Sequence, residues 1–415
     1  QYRKGEPDQS KQLGKIKEHF LIYFTIVENI IEDLQKAYKI FENINNKGLH
    51  LAQSDLVKNH LFEIIDSESR ADPKISDADR ETLIREADDS WQNIIRILEI
   101  AKITESVYLR YYLTAFIELV GKDDVYSTIK NKYGTKERVQ TFLVDLETRV
   151  SVLNSLAKPS FEDWNKDQTT VDQLSGLKSL GQGAMYPILL LGKEKFSVKD
   201  MKKLIILTTK LFFRAKTVCS RNFTDIEKLV DQICIRIRTD DNVKISDIQE
   251  MMFKWSQYPE DAEFLLKFRT LSLTDKRAHY ALSEIHYQMN GGRAIQTQVI
   301  NTKSQIEHIM PKIIKGTKWE TEIKSKHGFS DIELDEYKKL YLDKLGNLTL
   351  LNNIKNIKNS NKSFLDKKTV YVDPLEIKMT TELATISEWD DDAILKRQNN
   401  FTDHAKIIWN LKSAI

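Results

Sequence analysis

Glu307-His308-Ile309-Met310-Pro311 and, about forty residues on, Leu345-Gly346-Asn347-Leu348-Thr349-Leu350-Leu351 are the two stretches on which the reading of this chain turns. The first sets an acid beside a histidine and closes on a proline, a residue that ends regular strand pairing. The second is an apolar, strand-like run opened by Gly-Asn. An Asn-rich and Lys-rich stretch, residues 352–368, comes straight after and predicts a polar helical region carrying Asn356 and Asn361. Two short strands followed by helix, with one acid, one imidazole and several amides converging, is the expected local architecture.

Those residue types suit phosphodiester hydrolysis. The reaction needs a nucleophilic water, stabilisation of a charged transition state and help for the leaving 3′ oxygen. A histidine titrating near neutrality can deprotonate water. A hard divalent cation held by oxygen ligands can polarise a phosphate. Glu307 offers a carboxylate and Asn356 an amide carbonyl to such an ion, which leaves His308 as the base. Adjacent strand residues face opposite sides, so Glu307 and His308 reach one phosphate only if the strand twists or bulges, or if the ion sits at its edge. Asn347, at the tight loop before the second strand, is placed to bond backbone on both sides and fix the loop that carries His308. Asn361 is expected to open a short helix in which Phe364 packs on the strands, leaving Lys362, Lys367 and Lys368 for phosphate contacts. His279 and His286, seven apart on one helical face, read as packing or solvent-facing residues rather than metal ligands.

The bulk composition is that of a soluble globular protein of several domains. A chain of 415 residues exceeds one small core and predicts two or three domains. Its net charge of +2 excludes a polycation. Locally, residues 301–370 hold 14 lysines, no arginine and 9 acids, a net of +5 beside the suspected site. Cys219 and Cys234 give neither a disulfide framework nor a CxxC pair. A reducing, cytoplasmic setting is expected. No apolar run approaches the roughly 20 residues a bilayer span needs, so no membrane partner is expected.

Along the chain, the dense apolar run His19–Glu28 predicts a buried strand and Ile30–Ile44 a helix. A turn at Asn45-Asn46-Lys47-Gly48 and a second helix from about Ser54 follow, its face formed by Leu56, Val57, Leu61, Ile64 and Ile65. Asp66–Arg80 reads as a linker. Trp91–Ile103, Val107–Val120, Arg138–Leu156, Val198–Phe213 and Thr224–Ile237 carry helical spacing, with a loop at Lys158–Gln173. A further helix, Lys276–Gln288, precedes the site. A last one begins near Asp390, where three acids complement the helix dipole. The expected fold class is mainly α with small α/β parts. The divisions are 1–66, a small α/β piece, 67–275, a helical middle domain, and 276–415, the site-bearing domain.

Ile306–Pro311, Leu345–Leu351, Asn356, Asn361 with Phe364 and Lys367, and Trp389–Trp409 together resemble the C-terminal HNH (ββα-metal) half of the GmrS–GmrD kind of modification-dependent restriction endonuclease. Tyr38–Phe62, with Phe41–Gly48 and Leu56-Val57-Lys58-Asn59, resembles the later part of that family's ParB-like N-terminal domain. The resemblance implies a prokaryotic anti-phage endonuclease or nickase cutting foreign or modified DNA. Glu307 and Asn356 would then hold one Mg²⁺ or Mn²⁺ ion, with His308 as general base, Asn347 orienting the loop, and Asn361 and Lys367 in support. The family's Asp-Gly-Gln-Gln-Arg motif does not occur in these residues. The expectation is therefore that this chain is a fragment or has lost that half. Nucleotide would be a partner only if the missing part were supplied, with Asn45 and Gly48 as weak nucleotide candidates. Ala52 stands where the family has a capping hydroxyl, and Ser54 is the expected substitute. Two readings compete with cutting: a nucleic-acid-binding module that does not cleave, and a nucleotide-regulated switch. RNA is also a conceivable substrate, and a homodimer is the assembly that cutting both strands would require.

Overall fold

The computed structural model describes residues 13–14, 17–19, 21–22, 52–181, 183–292, 304–373 and 377–412. Among these the protein is mainly helical, with one two-stranded antiparallel sheet. His19, Leu21 and Ile22, from the predicted strand His19–Glu28, are helical, and Leu21 and Ile22 are exposed. The remainder of that strand, the predicted helix Ile30–Ile44 and the candidates Asn45 and Gly48 lie outside the described residues. An unbroken apolar run carries no period to separate helix from strand, and a strand needs a partner that a helix does not.

The helical part begins with α1 (Gln53–Ala71), α2 (Asp77–Ala101), α3 (Glu105–Phe116), α4 (Val125–Lys132) and α5 (Lys136–Ala157). It continues through α6 (Gln168–Ser179), α7 (Tyr186–Lys195), α8 (Val198–Phe212), α9 (Phe223–Thr239), α10 (Ile245–Lys254), α11 (Asp261–Thr270) and α12 (Asp275–Met289). The spacing that predicts these helices is the spacing that buries them. On α2, Trp91, Ile94, Leu98 and Ala101 face inward, Ser76 and Asp79 close a capping box at its start, and Lys102 ends it in the left-handed region. On α9 the buried set is Ile226, Leu229, Val230, Ile233, Cys234 and Ile237. Cys219 and Cys234 are both buried free thiols.

Two local expectations change. The cap of α1 is Ala52, not Ser54. Ser54 lies inside the first turn, where its backbone N–H donates to Ser106 Oγ at the start of α3, so a neighbouring helix supplies the missing hydroxyl. The expected linker at Asp66 is also helical, because α1 runs on to Ala71. Asp66 is fully buried and pairs with Arg70 and Arg80.

Beyond the bundle come β1 (Ser304–His308), α13 (Lys318–His327), α14 (Asp331–Tyr341), a 3₁₀ turn (Leu345–Asn347) and β2 (Leu348–Asn352). Then follow α15 (Asn353–Asn359), α16 (Phe364–Tyr371), α17 (Lys378–Thr381) and α18 (Asp391–Ile408). β1 and β2 pair from Ser304↔Asn352 to His308↔Leu348 without a bulge. The hairpin lies between two hydrophobic clusters. Leu348 and Leu350 join the bundle core, and Ile306 packs on it. Leu351 turns to a smaller cluster with Met310, Trp319, Phe364, Tyr371 and Trp389. Side chains alternate across a strand, so covering both faces explains why the first four residues of β2 are buried.

α18 ties the hairpin to the bundle. Trp409, just past its end, stacks on Phe213 with ring centroids 4.2 Å apart. The buried guanidinium of Arg214 donates to Pro259 O at 2.7 Å and pairs with Asp261 at 2.6 Å. Gln398 Oε1 accepts from the backbone N–H of Gly346 at 2.7 Å, while its Nε2 donates to Phe268 O at 2.8 Å. The approach at Gly346 is close: a Cβ there would sit 2.2 Å from Ile394 O. Glycine is required by space rather than by φ. Gly346→Ala is expected to cost about 1–3 kcal/mol of stability, the usual range for overpacking, read as a lower urea midpoint at unchanged slope.

Candidate active site

His308 ends β1 and, with Ile306, faces the bundle. It lines a cleft of about 620 Å³ together with Thr274, Asp275, Lys312, Asp343, Asn356 and Asn361. Its Nε2 lies 3.1 Å from Asp343 Oδ1. A carboxylate only accepts, so the imidazole proton sits on Nε2 and the lone pair on Nδ1. Burial pulls the His308 pKa below its ordinary 6.5, opposed by the hydrogen bond to Asp343, and the imidazole is neutral at pH 7. Asp343 is held in turn by the bundle: its carbonyl accepts from Leu273 N at 3.0 Å, and Lys344 bridges to Ser272.

Asp343 escaped the sequence reading. It lies 35 residues from His308, and no local pattern pairs the two. The usable signal was chemical, since a histidine base needs an acceptor to fix its tautomer.

Asn347 is fully buried. Its Nδ2 donates to Leu342 O at 2.9 Å and Met310 O at 3.1 Å, and its Oδ1 accepts from Met310 N at 2.8 Å and Trp389 Nε1 at 3.0 Å. All four hydrogen-bonding positions of the amide are used. The side chain clips Met310, and the Asn347 carbonyl accepts from Ile309 N at 3.0 Å, so the segment after His308 is tied to the turn before β2. It does not line the cleft, so its part is positioning rather than contact with substrate. Asn356, on α15, does line the cleft, with Nδ2 donating to Ile306 O at 3.0 Å. Asn361 also lines it, but from the turn between α15 and α16. The helix starts at Phe364 with Ser363 as its cap.

Glu307 also lines the cleft, but alternation in an unbulged strand turns its side chain toward α16. Its Oε1 accepts from Lys367 Nζ at 2.7 Å and from Tyr371 Oη at 3.1 Å. Lys367 Nζ also donates to His308 O at 2.6 Å. Glu307 is 3% exposed, and Lys367 and Tyr371 are fully buried. Burial pushes the Glu307 carboxyl up and the Lys367 ammonium down, and their mutual attraction opposes both shifts. Lys367 is therefore committed to the interior and does not reach a phosphate. Lys368 donates to Ile386 O at 2.7 Å, whereas Lys362 is exposed, its carbonyl accepting from Trp319 Nε1.

The carboxylate expected to hold a divalent ion is already paired in this arrangement. The Glu307 oxygen is shared by an ammonium and a phenol, and Lys367 supplies the positive charge an ion would bring. Among the described residues, no three His, Cys, Asp or Glu side chains are grouped so as to hold a metal. His279 and His286 are held within the fold, His279 Nε2 lying 3.1 Å from Ser304 Oγ and His286 being fully buried.

The cleft, the His–Asp pair and the Asn clip all lie in one part of the chain that can be compared with known families. Residues 258–404 match the family model of GmrSD restriction endonucleases, C-terminal domain. The match takes in α11 and α12 of the bundle as well as the hairpin and most of α18. It thus spans both walls of the cleft, Leu273–Asp275 on one side and β1 with Asp343 on the other. No curated protein matches the chain. No described helix is long and apolar enough to cross a membrane.

Proposed function

We propose that the cleft hydrolyses phosphodiester bonds of DNA, as an HNH-type nuclease of restriction defence. The observation that carries this reading is the His308–Asp343 pair facing an open cleft within the segment that matches restriction endonucleases. Asp343 holds the imidazole with Nδ1 unprotonated. Nδ1 takes a proton from water, the water oxygen attacks phosphorus, and the bond to the 3′ oxygen breaks. That oxygen leaves and takes a proton from solvent. Lys312, exposed on the cleft wall, supplies positive charge for the phosphate. Asn356 and Asn361 line the same wall and offer hydrogen bonds to it. Asn347 keeps the segment after His308 in register, and Lys367 pins the His308 carbonyl.

No step is assigned to a metal ion. The expected single Mg²⁺ or Mn²⁺ belongs to this reading only as a requirement to be measured. A helical spacer before the site, a ParB-like piece at the N-terminal end and a preference for foreign or modified DNA belong to it as well.

Relaxation of supercoiled plasmid by the full chain tests the reading, run with Mg²⁺, with Mn²⁺ and with EDTA, beside an RNA of equal length. Open circles from the parent protein and none from His308→Ala are expected. Equal relaxation by both proteins would remove His308 from the chemistry, and RNA cut in preference to plasmid would replace the substrate.

A further inference from the structure

Four lysines gather where four helices end or cross beside the cleft. Lys102 is the cap of α2, and Lys158 the cap of α5. Lys178, near the end of α6, donates from Nζ to Ala157 O at 2.8 Å, which places it beside Lys158. α6 crosses α12 at Gly176, where a Cβ would lie 2.6 Å from the Tyr280 ring, and Gln173 Nε2 reaches Glu284 at 3.4 Å. The two helices therefore run antiparallel, and Lys178 comes level with Lys276 in the first turn of α12. All four lysines are exposed, and among the described residues none makes a salt bridge. Partial burial and then repulsion from Lys102, Lys276 and Lys158 draw the Lys178 ammonium below its ordinary value.

Like charges brought together from separate helices, none of them in an ion pair among the described residues, call for an anion from outside. Their position says which. Lys276 directly follows Thr274 and Asp275, which line the cleft beside His308, and Lys312 stands in the same cleft. A strand of phosphates leaving the cleft over the start of α12 would meet Lys276, then Lys178, then Lys158 and Lys102. We propose that this surface of the helical bundle binds the backbone of duplex DNA and aligns it with the cleft. The proposal rests on the reading of the cleft as a DNA-cutting site.

The test measures binding of a fluorescent DNA duplex by the full chain carrying His308→Ala, over a series of salt concentrations. The variant adds Lys102→Gln, Lys158→Gln, Lys178→Gln and Lys276→Gln. A control set replaces the exposed Lys228, Lys244, Lys254 and Lys406 by Gln, and a third replaces the four cluster lysines by Arg. Each phosphate contact contributes about 0.9 to the slope of log affinity against log salt, so losing four should flatten it by about 3 to 4 and weaken binding at least tenfold. The control set and the Arg variant should bind as the parent does. Unchanged affinity and slope in the Gln variant, or an equal loss in the control set, would overturn the proposal. Tighter lysine-dependent binding of duplex RNA than of DNA would overturn the choice of partner. Plasmid nicking by the unaltered chain, followed in parallel, separates the two claims. Nicking with lysine-independent binding removes the surface and keeps the site, whereas lysine-dependent binding without nicking does the reverse.

Discussion

His308→Ala is expected to lower plasmid nicking by about a hundredfold to ten-thousandfold, the range that a general base supplies, with no fall in thermal stability. The side chain sits at the open end of β1 and, among the described residues, hydrogen-bonds Asp343, so its removal opens no gap in the core. The pH dependence gives the sharper test. Only the neutral imidazole accepts a proton, so the rate should rise with pH through the His308 pKa and level off above it. That pKa lies below 6.5, and the rise belongs on the acid side of neutrality. Asp343 raises it by stabilising the charged form. Asp343→Ala should therefore move the rise to lower pH while reducing the plateau. A rise that stays in place in Asp343→Ala, or moves to higher pH, would show that Asp343 does not act through His308.

Lys367→Met should produce the largest loss of stability, about 3–5 kcal/mol, because removing one partner strands a buried charge. Glu307 would keep the Tyr371 hydroxyl at Oε1. Its carboxyl would be held neutral more strongly, with a folded pKa above its unfolded one. The sign of the pH effect follows. A group that favours its protonated form in the fold supports stability below its unfolded pKa and loses that support as pH rises. The variant should thus be weaker at pH 8 than at pH 5, whereas Glu307→Gln with Lys367→Met should recover most of the loss. Urea unfolding at both pH values reads this out. Recovery of the single variant on addition of Mg²⁺, with none for the double, would mean that Glu307 binds an ion when Lys367 is absent, and would reinstate it as a ligand.

The helices were legible in the sequence because their apolar spacing is also their burial pattern, and the hairpin because Glu307–Pro311 and Leu345–Leu351 carry strand signals at both ends. Asn347 was legible too, as an amide at a tight turn has backbone groups within reach on both sides. The failures lie where the answer depends on which way a side chain points. The region 352–368 is rich in lysine, yet Phe364, Lys367 and Tyr371 recur at helical spacing and form the inward face of α16. Counting charge hid that face. The alternation of Glu307 and His308 was visible, and the regular register holds through His308. Asp343 depends on the chain returning after two intervening helices, which residue types alone do not disclose. His19–Glu28 offered apolar residues without a period, and the described part is helical.

Gly346 takes its N–H partner from Gln398, and the guanidinium of Arg397 donates to the carbonyls of Gly346 and Leu348. The turn that carries Asn347 is thus completed from α18. A polypeptide halted before residue 390 would possess every group that faces the cleft and lack the brace that sets their spacing. The hairpin takes its shape only with α18 in place, so a helix that contributes nothing to the cleft lining governs the spacing of the groups that do.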